Sequence, residues 1–160
     1  MALSEIEDFK LACDHGDIEV VELLLEQSLT LEDIRADNNY ALLYASLNGY
    51  IEVVRLLLDQ GLTLEDIRSL NNHALRRASE GGHIEVVKLL LNDGLTLRDV
   101  RSFNNYALRW ASKRGHREVV KLLLEQGLDE NDIEEAILGD IQKSDALTLL
   151  GGRATKSAHK

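Results

Sequence analysis

Glu52-Val53-Val54-Arg55-Leu56-Leu57-Leu58 is one copy of a string, Glu-Val-Val-x-Leu-Leu-Leu, that occurs four times, starting at Glu19, Glu52, Glu85 and Glu118. Each start lies 33 residues after the last, with no insertion or deletion. A second string keeps the same step: Asn38-Asn39-Tyr40-Ala41-Leu42, Asn71-Asn72-His73-Ala74-Leu75 and Asn104-Asn105-Tyr106-Ala107-Leu108. A fixed period of this length means one small supersecondary unit copied and stacked. Stacked units form extended surfaces more readily than deep pockets, so binding is the first expectation.

Residues 37 to 68 illustrate one unit. The Asn38-Asn39 pair is suited to cap a helix start through a side-chain oxygen. A first helix is predicted from about Tyr40 to Leu47, ended by Asn48-Gly49, which tolerate the left-handed backbone of a tight turn. A second is predicted from about Ile51 to Gln60. Its polar residues Glu52, Arg55 and Asp59 fall on one outer stripe, and the remaining apolar face is wide enough to need neighbours on both sides. Thr63 with Asp66 forms a capping-box pattern, repeated at Thr30/Asp33 and Thr96/Asp99. One short extra helical turn is expected there, pinned by Leu62, Leu64 and Ile67.

The period of 33, the Gly82-His83 and Gly115-His116 pairs, and the following Glu-Val-Val-Lys-Leu-Leu-Leu and Gly resemble the ankyrin repeat over roughly residues 4 to 138. The alternative 34-residue helical repeat lacks matches at its Trp, Gly, Tyr and Pro positions. The resemblance implies an all-α solenoid of stacked helix pairs. The family's Thr-Pro-Leu-His signature is replaced by Tyr40-Ala41-Leu42-Leu43, His73-Ala74-Leu75-Arg76 and Tyr106-Ala107-Leu108-Arg109. Its hairpin segment is replaced by Gly-Leu-Thr-Leu-Glu-Asp-Ile-Arg, so short helical turns are expected in place of β-hairpins. The variant is similar to ankyrin arrays of giant DNA viruses and intracellular bacteria, in which case the partner is a host factor.

The expected organisation is a single domain over residues 1–150. It has an N-terminal cap at about 4–35, repeats at about 36–68, 69–101 and 102–133, and a C-terminal helical cap at about 131–150. In the first unit Glu7, Lys10 and Asp14 replace Tyr40, Leu43 and Leu47, and Ser4 with Glu7 makes a capping box. At the far end Glu130 stands where Leu31, Leu64 and Leu97 stand earlier. Ile133, Ile137, Leu138, Ile141, Leu147 and Leu150 are expected to face the stack from closing helices. With both ends capped, a monomer is expected. Residues 151–160 read as a disordered basic tail.

The formal net charge is −10, and the body without the tail carries −13, from 15 basic against 28 acidic residues. That disfavours nonspecific nucleic-acid binding. No apolar run is long enough for a membrane helix, and the acidic N-terminus is not a secretory signal. The single cysteine, Cys13, excludes an internal disulfide and fits a reducing, cytoplasmic location. Cys13 aligns with Ser46, Ser79 and Ser112, a small-residue packing position rather than a nucleophile's. His83 and His116 sit at the family's Gly-His turn, where a histidine ties the turn to neighbouring backbone. No catalytic set, metal site or cofactor site is read, so the chain is expected not to be an enzyme.

Positions that differ between near-identical repeats are free of the packing constraint. They form a stripe of candidate partner-binding residues: Tyr40, Leu43, Tyr44 and Leu47, then His73, Arg76, Arg77 and Glu80, then Phe103, Tyr106, Arg109, Trp110, Lys113 and Arg114. The ankyrin resemblance places this stripe on or near the concave face, where such repeats bind partners. The stripe is apolar and aromatic at one end and basic with Trp110 at the other, composition favoured at binding hot spots. A basic patch on an acidic body selects an acidic segment, and the apolar end takes a hydrophobic anchor. The expected partner is therefore another protein. The competing readings are ion pairing of these arginines with acids on adjacent repeats, and a structural or engineered stack without a natural ligand.

Overall fold

The chain's computed structural model describes residues 3–27 and 29–137. Of the C-terminal cap expected at about 131–150, the part from residue 138 on lies outside the described residues, as do the tail and the side chains of Ser4 and Ile137. Four units follow one another. Their first helices are α1 (Leu3–His15), α4 (Ala36–Asn48), α7 (Ser69–Gly81) and α10 (Ser102–Lys113). Their second helices are α2 (Ile18–Gln27), α5 (Ile51–Asp59), α8 (Ile84–Asn92) and α11 (Arg117–Glu125). Single-turn helices α3 (Leu31–Ile34), α6 (Leu64–Ile67) and α9 (Leu97–Val100) connect the units, and α12 (Glu130–Ile137) packs on α10. Among the described residues no strand forms, so short helical turns replace the hairpins.

First helices pack on first helices and second on second, giving two layers with the core between them. Leu42, Leu75 and Leu108 from the first layer, and Leu57, Leu90 and Leu123 from the second, are buried to 2% exposure or less. Glu52, Arg55 and Asp59 are exposed, as the polar stripe predicts. Cys13 is fully buried, and burial pushes its thiol up to about 12, which leaves a neutral packing group.

Two elements repeat with near-identical geometry. At the helix-to-helix turns His83 Nε2 lies 2.8 Å from the Leu47 carbonyl oxygen and His116 Nε2 lies 3.0 Å from that of Glu80, tying each unit to the previous one. The rings pass so close to Gly49 and Gly82 that a Cβ there would sit 2.3–2.4 Å from Nδ1, and both glycines have φ near +79°. At the connectors, Thr30, Thr63 and Thr96 form the expected capping boxes with Asp33, Asp66 and Asp99.

The Asn pairs depart from expectation. They do not cap the first helices through their side chains; the Asn39 and Asn72 Oδ1 atoms are buried and accept no hydrogen bond. Instead Asp37-Asn38-Asn39, Leu70-Asn71-Asn72 and Phe103-Asn104-Asn105 each form a left-handed turn, with φ between 51° and 61°. Its closing bond runs from Asn39 N to Arg35 O, and from Asn72 N to Arg68 O, at 3.0 Å. Asn tolerates this conformation because its short polar side chain does; Leu70 and Phe103 do not, at about 1–2 kcal/mol each. Right-handed helix resumes at Tyr40, His73 and Tyr106.

Two of the polar replacements in the first unit, Lys10 and Asp14, turn towards the second unit, while Glu7 stays exposed. Lys10 is 8% exposed and bonds Asp37 and Glu7, and Asp14 accepts from Asn48 Nδ2 at 2.9 Å. Glu5, Glu7, Asp8 and His15 are exposed on α1, and Asp8 is in register with the buried Ala41, Ala74 and Ala107.

Candidate functional site

A ladder runs along the connector edge. Arg35 donates to Asp66, Arg68 to Asp99 and Arg101 to Asp132, each through Nε and Nη2 to the two carboxylate oxygens at 2.7–2.9 Å. The same carboxylates accept from the connector cap: Thr63 N and Oγ1 reach Asp66 Oδ2 at 2.7 and 2.8 Å. In the last unit Asp129 takes the threonine's place, and Arg101 reaches it as well at 3.2 Å. Burial alone would push the Asp99 carboxyl up; the Arg68 guanidinium and the Thr96 donors outweigh it and hold it at about 2. The Arg35, Arg68 and Arg101 step of 33 is visible in sequence, yet its partners lie 31 residues away and were not read from it.

The variable stripe lies along the first helices. In the second unit the Tyr40 and Tyr44 rings stack at 4.0 Å, with Leu43 and Leu47 half-buried beside them. Leu11, 53% exposed, is in register with Tyr44, Arg77 and Trp110 and extends the apolar end; its place in an otherwise polar first unit hid it.

In the third unit the structure assigns each arginine a different partner. Arg76 is 9% exposed. Its Nε donates to Asn71 O at 3.0 Å and its Nη2 to Leu70 O at 2.9 Å, satisfying carbonyls of the left-handed turn. Its guanidinium lies 4.6 Å from the Phe103 ring centroid and 4.9 Å from that of Tyr106. Glu80 gathers three donors: Arg77 Nη1 at 2.8 Å, Tyr106 Oη at 3.0 Å and Arg114 Nη2 at 2.7 Å. Burial would raise the Glu80 carboxyl, but these donors hold it below its ordinary value. Arg77 Nε also donates to His73 Nε2 at 3.0 Å. Burial, with Arg76 and Arg77 adding to it, pulls His73 below its ordinary value and keeps the imidazole neutral.

The fourth unit sets aromatic rings beside cationic side chains. Phe103 is 57% exposed, with Tyr106 at 6.0 Å and Trp110 a further 5.7 Å along the row. Lys113 Nζ and the Arg114 guanidinium lie 5.2 and 5.8 Å from the Trp110 centroid. Arg109 lies 6.0 Å from the Tyr106 ring, and its buried Nε has no hydrogen-bond partner among the described residues. The structure thus brings His73, Arg77, Glu80, Tyr106 and Arg114 into one network, and Arg76, Phe103, Tyr106 and Trp110 into one aromatic row.

Among the described residues no group of His, Cys, Asp and Glu is placed to hold a metal ion, and no helix is long and apolar enough to cross a membrane.

Comparison with protein families matches this chain to ankyrin repeats (3 copies), over residues 9–68 and 63–134. Among solved structures, an ankyrin repeat family protein from Legionella pneumophila is similar, with a TM-score of 0.69 and 29% identity over 76% of this chain. This chain spans 36% of that protein's length. Comparison with curated proteins finds no match.

Proposed function

The chain belongs to the ankyrin repeat family, and on that premise we propose that it is a recognition module whose first-helix stripe docks an acidic segment of another protein. Ankyrin repeats are in general non-enzymatic protein–protein interaction modules. The finer reading is that the concave face takes the acidic group at Arg109 and an apolar side chain on the Phe103–Tyr106–Trp110 row. The observation that carries it is Arg109. Among the basic residues of the stripe, Arg76, Arg77 and Arg114 are engaged by carbonyls or by Glu80, whereas Arg109 Nε is buried beside the Tyr106 ring with no hydrogen-bond partner among the described residues. A buried donor left unsatisfied costs roughly 1–3 kcal/mol, which the Arg109 guanidinium recovers by turning out to meet a carboxylate. Phe103 adds to this: a bulky residue kept exposed on left-handed backbone is a costly arrangement of the kind that gathers at binding sites. The module works in a reducing intracellular setting, in keeping with a lone buried thiol.

Trp110 is the chain's one tryptophan, so its fluorescence reports the site directly. Titration with an Asp- and Glu-rich peptide carrying one phenylalanine is expected to shift and saturate the emission. Binding should weaken with salt and be lost in Arg109→Ala. A response unchanged in Arg109→Ala, or given equally by a lysine-rich peptide, would overturn the reading.

A further inference from the structure

Val20 and Leu23 on α2 are 43% and 52% exposed. Their counterparts one, two and three units on are Val53, Val86 and Val119, each 1% exposed, and Leu56, Leu89 and Leu122, all packed against the core. In those units the leading face of the second helix meets the second helix of the unit before: α5 meets α2, α8 meets α5 and α11 meets α8. The repeat itself therefore specifies what fits Val20 and Leu23, which is the apolar side of a helix lying alongside α2.

Charge specifies the rest. Inner units place Arg55, Lys88 and Lys121 next to the leucine of this face; the first unit places Glu22 there, between Glu19 and Glu26. All three carboxylates are exposed, and residues 3–27 carry eight acidic residues against one lysine, Lys10, which is buried on Asp37 and Glu7. A second copy docked through the same face would set these acids against themselves, so the chain's own face is a poor occupant.

We infer that the α2 face is a second interaction surface, distinct from the stripe, that takes a basic amphipathic helix of another protein. Leucines or valines of that helix cover Val20 and Leu23, and its lysines or arginines meet Glu19, Glu22 and Glu26. It occupies the place a preceding second helix holds in the inner units.

The test uses the full chain, labelled with nitrogen-15, and a synthetic amphipathic helix of leucine and lysine, with a leucine–glutamate helix as control. The lysine helix is expected to shift the amides of residues 17–27 in a saturable way, and the glutamate helix to leave them unmoved. Leu23→Ser and, separately, Glu22→Lys should each weaken binding roughly tenfold or more, from lost apolar burial and reversed charge. Both positions are exposed, so either variant serves if the other folds poorly. Arg109→Ala should bind as the parent does, which separates this surface from the stripe. Shifts centred outside residues 17–27, or affinity retained in Leu23→Ser, would overturn the inference. So would self-association in sedimentation equilibrium that Leu23→Ser abolishes, which would make a second copy the occupant.

Discussion

Arg68 and Arg101 lie one repeat apart, as do Arg76 and Arg109, but only the first pair does the same thing twice. On the connector edge both arginines grip the capping aspartate of the next unit in the same two-pronged geometry. On the stripe Arg76 is buried on carbonyls between two aromatic rings, while Arg109, among the described residues, meets one ring and no carbonyl. The difference follows from what the next unit offers. The connector edge meets the same Thr-x-x-Asp box, or its Asp129 variant, at each junction. The stripe meets Phe103 and Tyr106 after Arg76, but no such aromatic pair after Arg109. A contact repeated without change belongs to the assembly of the stack, and a contact that changes from unit to unit is where the proposed recognition is placed.

Core truncation sets the scale for this contrast. Leu90→Ala, at a fully buried position between layers, is expected to cost roughly 2–5 kcal/mol in chemical denaturation. A loss near zero would show the stacking register to be wrong, and with it both edges.

The ladder comes next. Asp99→Asn should cost roughly 2 kcal/mol at neutral pH, by the depression of its carboxyl from 3.8 to about 2. Because the folded-state value is lowered, this contribution is complete above about pH 4 and is lost as pH falls through about 2. The parent's acid limb should therefore be steeper than the variant's between those values. Parallel limbs would mean that Arg68 does not hold Asp99.

A smaller effect of opposite sign is expected at the left-handed turns. Leu70→Gly should raise the melting temperature, by relief of up to about 1 kcal/mol of backbone strain, since Leu70 is exposed and makes no large core contact. A loss instead would give the Leu70 side chain a structural role and weaken the reading of Leu70 and Phe103 as exposed apolar surface.

How much of this was legible in the sequence depended on how far each contact reached. The helix pairs and capping boxes were readable because each is a local pattern restated at a fixed step, and the histidine turns were readable by resemblance to the family. Cys13 was readable by its register with Ser46 and Ser79. The Asn pairs were misread because the residue that caps helices is also one that accepts left-handed backbone. The ladder went unseen because its partners meet across a unit boundary. The stripe was legible as a set of variable positions, yet its chemistry was not: Arg76, Arg77 and Arg109 look alike in sequence, and only packing against Phe103, Tyr106 and Glu80 tells the hydrogen-bonded ones from Arg109, whose Nε has no hydrogen-bond partner among the described residues.

The most direct measurement is equilibrium urea unfolding of Arg68→Ala beside Arg109→Ala. The ladder variant leaves a buried carboxylate without its guanidinium and should lose about 2 kcal/mol. The stripe variant removes a buried donor that has no hydrogen-bond partner among the described residues, so it should be no less stable than the parent while losing the acidic peptide. Equal losses, or a larger loss in Arg109→Ala, would contradict the division of labour between the two edges.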